Sequence, residues 1–328
     1  MKICLISQHA IPGLLIYRKE LIRELVNQGH EVYAFAFDYT NESSNAVRAL
    51  GAFPVSYQLN KAGLNPFVDL FHIVMLIKKL RKIRPDVVFS FFMKPSLYGT
   101  LAGKLAGARR TVAMIEGLGH MYTATSRGFS FKKRLMQSLH SLLSAICFAF
   151  ADRVLFLNQD DLDLLAKRTV FYRRKFTLFG PIGINLEDYQ VALPQVDGET
   201  RFLFIGRLLR EKGIEEFVQA AKFVKDVHSN ARFIVLGGYD PENPSALSQD
   251  EIEQLSSSGL VQFPGYYEDV RGWIEDAHVF VLPSYREGFP RSTQEAMAAG
   301  RAVITTDVPG CRETVPDGEN GILVPPFN

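Results

Sequence analysis

Short apolar segments alternate along the chain with longer segments in which apolar residues recur every three or four positions. Residues 2–7 (KICLIS) are apolar enough for a strand, and residues 17–28 have the helical period. Gly29 follows them, and glycine commonly ends a helix because it adopts the left-handed conformation. Residues 30–37 (HEVYAFAF) are apolar again. This order of strand, helix and strand predicts a βαβ unit of a parallel sheet.

The same alternation continues through the chain, except at residues 187–200, which are polar, contain proline and lack a period. Further strands are predicted at 86–91, 110–115, 153–158, 175–179, 201–205, 232–236, 261–263, 278–282 and 302–305. Further helices are predicted at 70–83, 98–105, 131–150, 159–168, 213–227, 270–276 and 293–299. We therefore predict an α/β protein with two Rossmann-like domains, residues 1–184 and 201–328, joined by a linker at 185–200. Ligands of such sheets bind beyond the carboxyl ends of the strands, so we expect a cleft between the two domains to hold the site.

The composition is that of a globular protein with room for two cores. The chain has 328 residues, of which 47% are apolar, about twice the length of a common domain. Cys4, Cys147 and Cys311 lack the CxxC spacing, which argues against a zinc knuckle and favours a reducing compartment. The apolar start of the chain ends before Gln8, so we expect no secretory or transit segment. Polar residues interrupt the longest apolar stretch, 135–151, so we expect a buried helix there rather than a membrane span.

The formal net charge of +2 conceals an asymmetry between the two halves. Residues 1–186 hold 25 Lys and Arg against 12 Asp and Glu, whereas residues 187–328 hold 12 against 23. Basic clusters in a single domain favour an anionic partner. We expect an anionic membrane surface; solvated helix faces are the plainer alternative, and nucleic acid lacks a recognised binding motif. The clusters are Lys78, Lys79, Arg81, Lys82 and Arg84; Arg127, Lys132, Lys133 and Arg134, with Phe129 and Phe131 between them; and Arg173, Arg174 and Lys175.

A glycine-rich basic loop directly follows the predicted strand at 201–205. Its sequence is GRLLREKG, residues 206–213. Gly206 allows a turn that brings backbone N–H groups towards a bound anion. Arg207 offers a planar fork for phosphate oxygens, and Lys212 adds a mobile point charge. The loop predicts a phosphate site, although a solvated loop before a helix would have similar residues.

A second loop, EGFPRSTQE at residues 287–295, lies between the predicted strand at 278–282 and a helix that ends at Gly300. The first N–H groups of that helix form an anion site. Glu287 is an acceptor-only side chain suited to sugar hydroxyls, and Glu295 lies eight residues further on. Alternatively, both glutamates are carboxylates favoured by the helix dipole.

Taken together, these segments resemble the signature of family 4 of the retaining GT-B glycosyltransferases. Residues 263–265 (FPG), 308–310 (VPG) and 320–324 (NGILV) also fall where that family has similar segments. The resemblance implies a nucleotide-sugar donor, expected to be UDP-linked, which is a substrate, and it implies no cofactor. In catalysis it implies that Arg207 and Lys212 neutralise the diphosphate and that Glu287 holds the transferred sugar. Donor binding is implied for Gly13, Gly206, Phe263, Phe289, Pro290, Arg291, Ser292 and Glu295, with Glu295 on the ribose, Phe263 near the base and Gly13 near the diphosphate.

The N-terminal half contains candidates for the acceptor. Glu116 and His120 follow the predicted strand at 110–115, and the resemblance makes His120 a catalytic candidate near the anomeric carbon. A glycine loop with a surface histidine is the alternative. Lys94 and Tyr98 resemble an element near the acceptor, and Arg18 is expected either to bind an acceptor phosphate or to lie on a solvated helix face.

Within the family, the segments TVAMIEGLGHMYT and FSFFMKPSLYGTLAG are similar to those of bacterial enzymes that extend polyprenyl-diphosphate-linked saccharides for O-antigen, capsule or glycan assembly. That resemblance implies transfer of N-acetylhexosamine, for example GalNAc from UDP-GalNAc, by a peripheral enzyme on the inner face of the cytoplasmic membrane. The resemblance to the family also implies no metal requirement. A UDP-N-acetylhexosamine 2-epimerase, a glycosyltransferase with another donor and a soluble acceptor, and a scaffold with a vestigial site remain alternatives. Family members continue beyond the segment at 324–328, so we expect that this sequence stops short of the usual end.

Overall fold

The computed structural model describes residues 1–59, 66–123, 131–168, 170–191, 197–241, 243, 245–316 and 318–327. The chain divides into two compact units. Unit 1 comprises Met1–Leu118 and Arg134–Gly180, and unit 2 comprises Gly119–Lys133 and Pro181–Asn328. Each unit contains a parallel sheet with helical connections, so the prediction of two Rossmann-like domains is confirmed. The boundaries of the linker at 185–200 stay a prediction.

Unit 1 contains, in the part that the structure describes, a seven-stranded parallel sheet with the order β3-β2-β1-β4-β5-β6-β7. The strands are β1 Lys2–Ile6, β2 Glu31–Ala36, β3 Phe53–Ser56, β4 Val87–Phe91, β5 Arg110–Ile115, β6 Arg153–Phe156 and β7 Phe176–Leu178. The helices are α1 Lys19–Asn27, α2 Asn41–Ala49, α3 Pro66–Ile83, α4 Met93–Leu105, α5 Phe131–Ala149 and α6 Gln159–Arg168. The central strands are buried on both faces, which explains their nearly continuous apolar sequences.

Unit 2 contains, over its described residues, a six-stranded parallel sheet with the order β10-β9-β8-β11-β12-β13. The strands are β8 Thr200–Ile205, β9 Ala231–Leu236, β10 Gln262–Gly265, β11 Val279–Leu282, β12 Ala302–Thr306 and β13 Gly321–Val324. The helices are α7 Ile214–Val227, α8 Gln249–Ser257, α9 Arg271–Asp276 and α10 Arg291–Ala298. Buried aromatic rings of β8, α7 and β9 pack together in the core: Phe204, Phe217 and Phe233.

Four short elements were not predicted, namely α2, β3, α8 and β13. Two of them have caps that the sequence does display. The Thr40 hydroxyl accepts from the Ser43 N–H at the start of α2, and Ser248 and Glu251 form a reciprocal capping box at the start of α8. Both helices are polar, and this weakens the apolar period on which the prediction relied.

Helix α5 buries several polar side chains and exposes apolar ones, which is the reverse of an ordinary surface helix. Gln137, His140, Ser141 and Ser144 face inwards, whereas the exposed fractions of Leu135 and Leu142 are 63% and 59%. The expectation of a simple buried helix at 135–151 is therefore wrong for its outer face. None of the described helices is both long and apolar enough to cross a bilayer.

Each sheet has one point at which the direction of strand succession reverses. In unit 1 this switch point lies between β1 and β4, and in unit 2 it lies between β8 and β11. Two loops diverge there and leave a crevice at the carboxyl ends of the strands, where ligands of open α/β sheets bind. The predicted donor loops follow β8 and β11, so the topology of unit 2 brings them together.

Candidate active site

The loops that follow β8 and β11 make direct backbone contacts at the switch point of unit 2. The Tyr285 N–H donates to the Glu211 carbonyl over 2.9 Å. Gly213 has a φ of +77°, and a Cβ atom there would clash with the Pro283 carbonyl. Glycine is therefore required at 213 for two reasons, its backbone conformation and the close approach of the second loop.

Lys212 and Glu287 form an ion pair across these two loops. Their side chains are 17% and 12% exposed, so the pair is shielded from most of the solvent. The Glu287 N–H donates to the Pro309 carbonyl over 2.9 Å, and the backbone of Gly310 packs against the carbonyl of Glu287. Lys212 was expected to be a mobile charge, but the structure holds it against a carboxylate that is itself fixed by the loop after β12.

Arg207 lies on the exposed side of the same loop. Its side chain is 58% exposed, and its Nη1 donates to Asp240 Oδ2 over 2.9 Å. Asp240 follows β9, and no pattern in the sequence identified it as a partner. An exposed guanidinium of this kind pairs weakly with a surface carboxylate, so a diphosphate can compete for it.

The loop from Phe289 to Ser292 leads into α10, which begins at Arg291. Glu295 lies one turn into the helix, where its Oε1 accepts from Arg291 Nε over 2.8 Å. The Tyr189 hydroxyl is hydrogen-bonded to both side chains, and burial together with the charge of Glu295 raises the pKa of Tyr189. Tyr189 is an additional residue of this site that the sequence did not reveal.

Two other donor candidates, Phe263 and Gly206, have only main-chain groups to offer a ligand. The Phe263 side chain packs against the core of unit 2, so only its main chain remains for a base. Gly206 donates its N–H to the Leu236 carbonyl over 3.0 Å, and a Cβ atom at Gly237 would clash with the Gly206 carbonyl. The loops after β8 and β9 thus touch at Gly206.

Arg18 and Glu116 form a buried ion pair beside β4 and β5 in unit 1. Their side chains are 3% and 7% exposed, and the Arg18 guanidinium lies 4.2 Å from the centre of the Phe91 ring. Burial raises the pKa of Glu116, while the charge of Arg18 opposes that shift. The alternative that Arg18 lies on a solvated helix face is wrong, because the side chain is enclosed. A role with an acceptor phosphate stays a prediction.

Lys94 and Tyr98 are brought together by Asp69, which the sequence did not single out. Lys94 Nζ lies 3.0 Å from Asp69 Oδ1 and 5.5 Å from the centre of the Tyr98 ring. The Tyr98 hydroxyl also hydrogen-bonds Asp69, and burial followed by that bond raises the pKa of Tyr98. Both acceptor candidates therefore belong to one cluster at the amino ends of α3 and α4.

Gly13 lies at the switch point of unit 1. A Cβ atom there would clash with the Ser7 hydroxyl and would lie 3.3 Å from the Phe92 ring, so the loops after β1 and β4 are in contact. His120 begins a short 3₁₀ turn, and its side chain lies outside the described residues. Within the described ranges, no group of three or more His, Cys, Asp or Glu side chains is placed to hold a metal. Metal independence and the individual residue roles stay predictions.

Two family models match the chain. The model of glycosyltransferase family 4 matches residues 13–187, and the model of the glycosyl transferases group 1 matches residues 199–328. The chain belongs to glycosyltransferase family 4. It is therefore a glycosyltransferase, and the resemblance inferred from the two donor loops is confirmed.

Three curated proteins are similar in sequence to this glycosyltransferase. N,N'-diacetylbacillosaminyl-diphospho-undecaprenol alpha-1,3-N-acetylgalactosaminyltransferase of Campylobacter jejuni is 30% identical over 96% of this chain and 83% of its own length. The capsular polysaccharide biosynthesis glycosyltransferase CapM of Staphylococcus aureus is 25% identical over 79% of this chain and 68% of its own length. UDP-Gal:alpha-D-GlcNAc-diphosphoundecaprenol alpha-1,3-galactosyltransferase of Escherichia coli is 23% identical over 78% of this chain and 66% of its own length.

Solved structures support the GT-B fold of this glycosyltransferase. HepE of Anabaena in complex with UDP matches with a TM-score of 0.75 and 16% identity, over 100% of this chain and 86% of that one. WaaG, a glycosyltransferase involved in lipopolysaccharide biosynthesis, matches with a TM-score of 0.67 and 18% identity, over 99% of this chain and 85% of that one. At these identities the likeness shows the fold alone.

Proposed function

We propose that this glycosyltransferase moves N-acetylhexosamine, for example GalNAc from UDP-GalNAc, to a polyprenyl-diphosphate-linked saccharide. The observation that carries the proposal is the shielded Lys212–Glu287 pair at the switch point of unit 2. The names of the Campylobacter and Escherichia relatives, both of which extend undecaprenol-diphosphate-linked sugars, support the acceptor class. The product would enter O-antigen, capsule or glycan assembly.

The donor site would act mainly through electrostatics. As the bond between the anomeric carbon and the donor phosphate breaks, negative charge develops on the departing diphosphate. Lys212, Arg207 and the first N–H groups of α10 are the groups that would stabilise this charge. Glu287 would accept hydrogen bonds from hydroxyls of the transferred sugar, because a carboxylate has lone pairs to spare when one oxygen is paired with a lysine.

The transfer would proceed with retention. The acceptor hydroxyl would attack on the face from which the diphosphate leaves, and its proton would pass to an oxygen of the departing phosphate. No divalent metal is required in this scheme, since the two cations and the helix N–H groups supply the positive charge. The alpha linkage in the names of both relatives supports retention.

The acceptor diphosphate would meet the cluster of Lys94, Tyr98 and Asp69. Lys94 is 17% exposed, so its ammonium remains partly accessible. Arg18 is more enclosed and already paired with Glu116, so it would act on an acceptor only if the pair opened. Lys94 is therefore the stronger candidate for a direct contact with the acceptor phosphate.

The amino-terminal part of α3 presents an apolar surface close to this cluster. Asp69 lies on the same helix, and the side chains of Phe67, Leu70 and Phe71 around it are 84%, 59% and 55% exposed. Helix α4 packs against α3, and the Thr100 hydroxyl of α4 donates to the Cys147 carbonyl of α5 over 3.3 Å. Helices α3, α4 and α5 therefore form one layer on the same side of the sheet.

We propose that this layer docks on an anionic lipid bilayer. The outward face of α5 is apolar, and its exposed residues recur at helical spacing. Insertion of one leucine side chain contributes about 1.5–3 kcal/mol, and each nearby cation adds about 1 kcal/mol on an anionic surface. The exposed apolar residues of α5 are Leu135, Leu139, Leu142 and Ile146. The exposed cations are Lys78, Arg81 and Lys82 on α3 and Arg134 on α5.

The basic clusters contribute unequally to this surface. Lys175 donates to the Ala149 carbonyl over 2.7 Å, so it caps the end of α5. Lys133 donates to the Thr123 carbonyl over 3.1 Å. Arg127 and Phe129 lie outside the described residues, as do the side chains of Lys132 and Phe131. The exposed cations of α3 are therefore the main electrostatic support for the proposal.

Vesicle flotation tests the membrane proposal. We expect the protein to float with vesicles of phosphatidylcholine and phosphatidylglycerol and to bind pure phosphatidylcholine at least tenfold more weakly. L139N/L142N should weaken binding to the mixed vesicles, whereas F223N/V227N, which changes an exposed apolar pair on α7, should not. Equal binding of both variants would contradict the proposal.

Titration calorimetry tests the donor site. Binding of UDP-GalNAc should be lost or reduced at least tenfold in K212M and E295Q, while R210M, in the same loop as Lys212, should bind normally. Unchanged affinity in both K212M and E295Q would show that the switch point of unit 2 is not the donor site. UDP-GlcNAc, UDP-Gal and UDP-glucose in the same titration establish which sugar is preferred.

A further inference from the structure

His9 and Asp38 form a dyad at the carboxyl ends of β1 and β2. His9 Nδ1 lies 2.7 Å from Asp38 Oδ2, and the Ala10 N–H donates to Asp38 Oδ1 over 2.8 Å. The His9 ring packs edge-on against Phe37 with a centroid distance of 4.9 Å. The orientation of the His9 ring is therefore restrained by the Asp38 carboxylate at Nδ1 and by the neighbouring Phe37 ring.

In the His9–Asp38 dyad, the carboxylate determines which ring nitrogen of His9 can accept a hydrogen bond. Burial alone would raise the pKa of Asp38, but its hydrogen bonds with His9 and Ala10 outweigh that effect and lower it. An ionised Asp38 accepts only, so it holds the His9 tautomer in which Nδ1 carries the hydrogen. The second ring nitrogen, Nε2, then presents a lone pair, and His9 is 28% exposed. No hydrogen bond to His9 Nε2 exists among the described residues.

The position of the dyad associates it with the ligand crevice of unit 1. His9 directly precedes the turn at Ala10–Leu14 that contains Gly13, and that turn contacts the loop after β4 through Phe92. His9 therefore lies in the loop that leads from β1 to the switch point, and its side chain packs on the loop after β2. Neither the donor chemistry of unit 2 nor the cluster around Lys94 uses this side chain.

We propose that His9 binds a hydroxyl of the acceptor saccharide through Nε2, with Asp38 as the positioning residue that fixes the tautomer. The inference rests on the proposed function in assigning the acceptor to unit 1. A neutral imidazole nitrogen accepts a hydrogen bond from a sugar hydroxyl, which a protonated imidazole cannot do. The hydrogen bond to Asp38 thus determines which ring nitrogen of His9 is available to the acceptor.

Steady-state kinetics with a polyprenyl-diphosphate-linked N-acetylhexosamine and UDP-GalNAc test the assignment. H9A should raise the KM for the acceptor by up to about tenfold, the range of one lost hydrogen bond, and leave the KM for the donor unchanged. H9Q should recover part of the loss, because its amide oxygen can accept. H30Q is the matched control, since His30 precedes β2 at the opposite end of the strand from Asp38.

The D38N variant tests whether Asp38 fixes the tautomer of His9 or only contributes to packing. The asparagine oxygen can still accept from the Ala10 N–H, but its NH₂ group then donates to His9 Nδ1 and shifts the ring hydrogen to Nε2. We therefore expect D38N to raise the acceptor KM as much as H9A, with little change in melting temperature.

The outcomes distinguish the two proposals. If the wild type is active and H9A leaves the acceptor KM unchanged or raises the donor KM instead, the role of His9 is refuted. A D38N variant with wild-type kinetics also refutes it. A wild type that transfers no sugar to the lipid-linked acceptor refutes the proposed function and the acceptor role of His9 with it.

Discussion

Replacement of Lys212 by methionine tests the electrostatic role of the donor site. The substitution keeps the length of the side chain and removes its charge. Lys212 is 17% exposed and lies against Glu287, so its charge acts where solvent screening is weak. Loss of one preorganised donor at a site of developing charge costs about 2.7–4 kcal/mol, which corresponds to a decrease in turnover of about 10²–10³-fold.

The ion pair itself also contributes to folding, and this effect must be separated from catalysis. K212M leaves the Glu287 carboxylate unpaired and 12% exposed. Breaking a fully buried pair costs about 3–5 kcal/mol, so we expect about 2 kcal/mol in this partly open site. The K212M/E287Q double variant removes both charges and should regain most of that stability.

The assay is a comparison of kcat and of the free energy of unfolding in urea for K212M, E287Q and the double variant. We predict that the double variant folds nearly as stably as the wild type but stays at least a hundredfold slower. R210M is the matched control, because Arg210 lies in the same loop, is 45% exposed and pairs with the surface residues Glu215 and Glu251. The reasoning is refuted if the double variant regains turnover, or if K212M and R210M have similar kcat values.

Three further predictions concern the geometry, the pH dependence and the metal requirement. G310A should lower the free energy of unfolding by more than about 1 kcal/mol and should also lower kcat, because Gly310 has a φ of +82° and its new Cβ would meet the backbone of Glu287. Urea unfolding and turnover assays test this, with G318A, at an exposed glycine of similar φ, as the control. Burial, followed by the charge of Arg168, lowers the pKa of His140 to about 4, so below about pH 6.5 the unfolded chain binds a proton that the folded chain does not. As the pH falls from 6.5 to 4, the free energy of unfolding of the wild type should therefore decrease by up to about 3 kcal/mol relative to that of H140Q. Parallel pH dependences of the two proteins would contradict this. Turnover should persist in excess EDTA, because Lys212, Arg207 and the helix N–H groups supply the positive charge; loss of turnover that Mg²⁺ or Mn²⁺ restores would contradict the prediction.

The local pattern of the sequence predicted the helices and strands better than it predicted which strands are adjacent in the sheet. Gly29 follows helix α1 of the first βαβ unit with a φ of +78°, as expected from the apolar pattern and the glycine stop. The strand order cannot be read in the same way, since β1 and β4 become neighbours only through the topology of the sheet. The position of both donor loops at one switch point is likewise a property of the folded sheet.

The partners of the functional side chains were the least predictable part. Lys212 and Glu287 are 75 residues apart in the sequence and Arg18 and Glu116 are 98 apart, so no local period connects them. The positions of Asp69, Asp240 and Tyr189 depend on the packing of separate elements in the same way. Helix α5 was misjudged because its composition is apolar, while the sequence alone does not say which face of the helix is buried.

Transfer to a defined lipid-linked acceptor is the most direct test of what this glycosyltransferase does. The wild type would be incubated in EDTA with a synthetic polyprenyl-diphosphate-N-acetylhexosamine and each UDP-sugar in turn, and the products analysed by mass spectrometry and by NMR of the new anomeric centre. We predict addition of one N-acetylhexosamine from UDP-GalNAc in the α configuration. Conversion of a UDP-N-acetylhexosamine to its epimer without acceptor, or transfer to soluble acceptors alone, would contradict the proposed function.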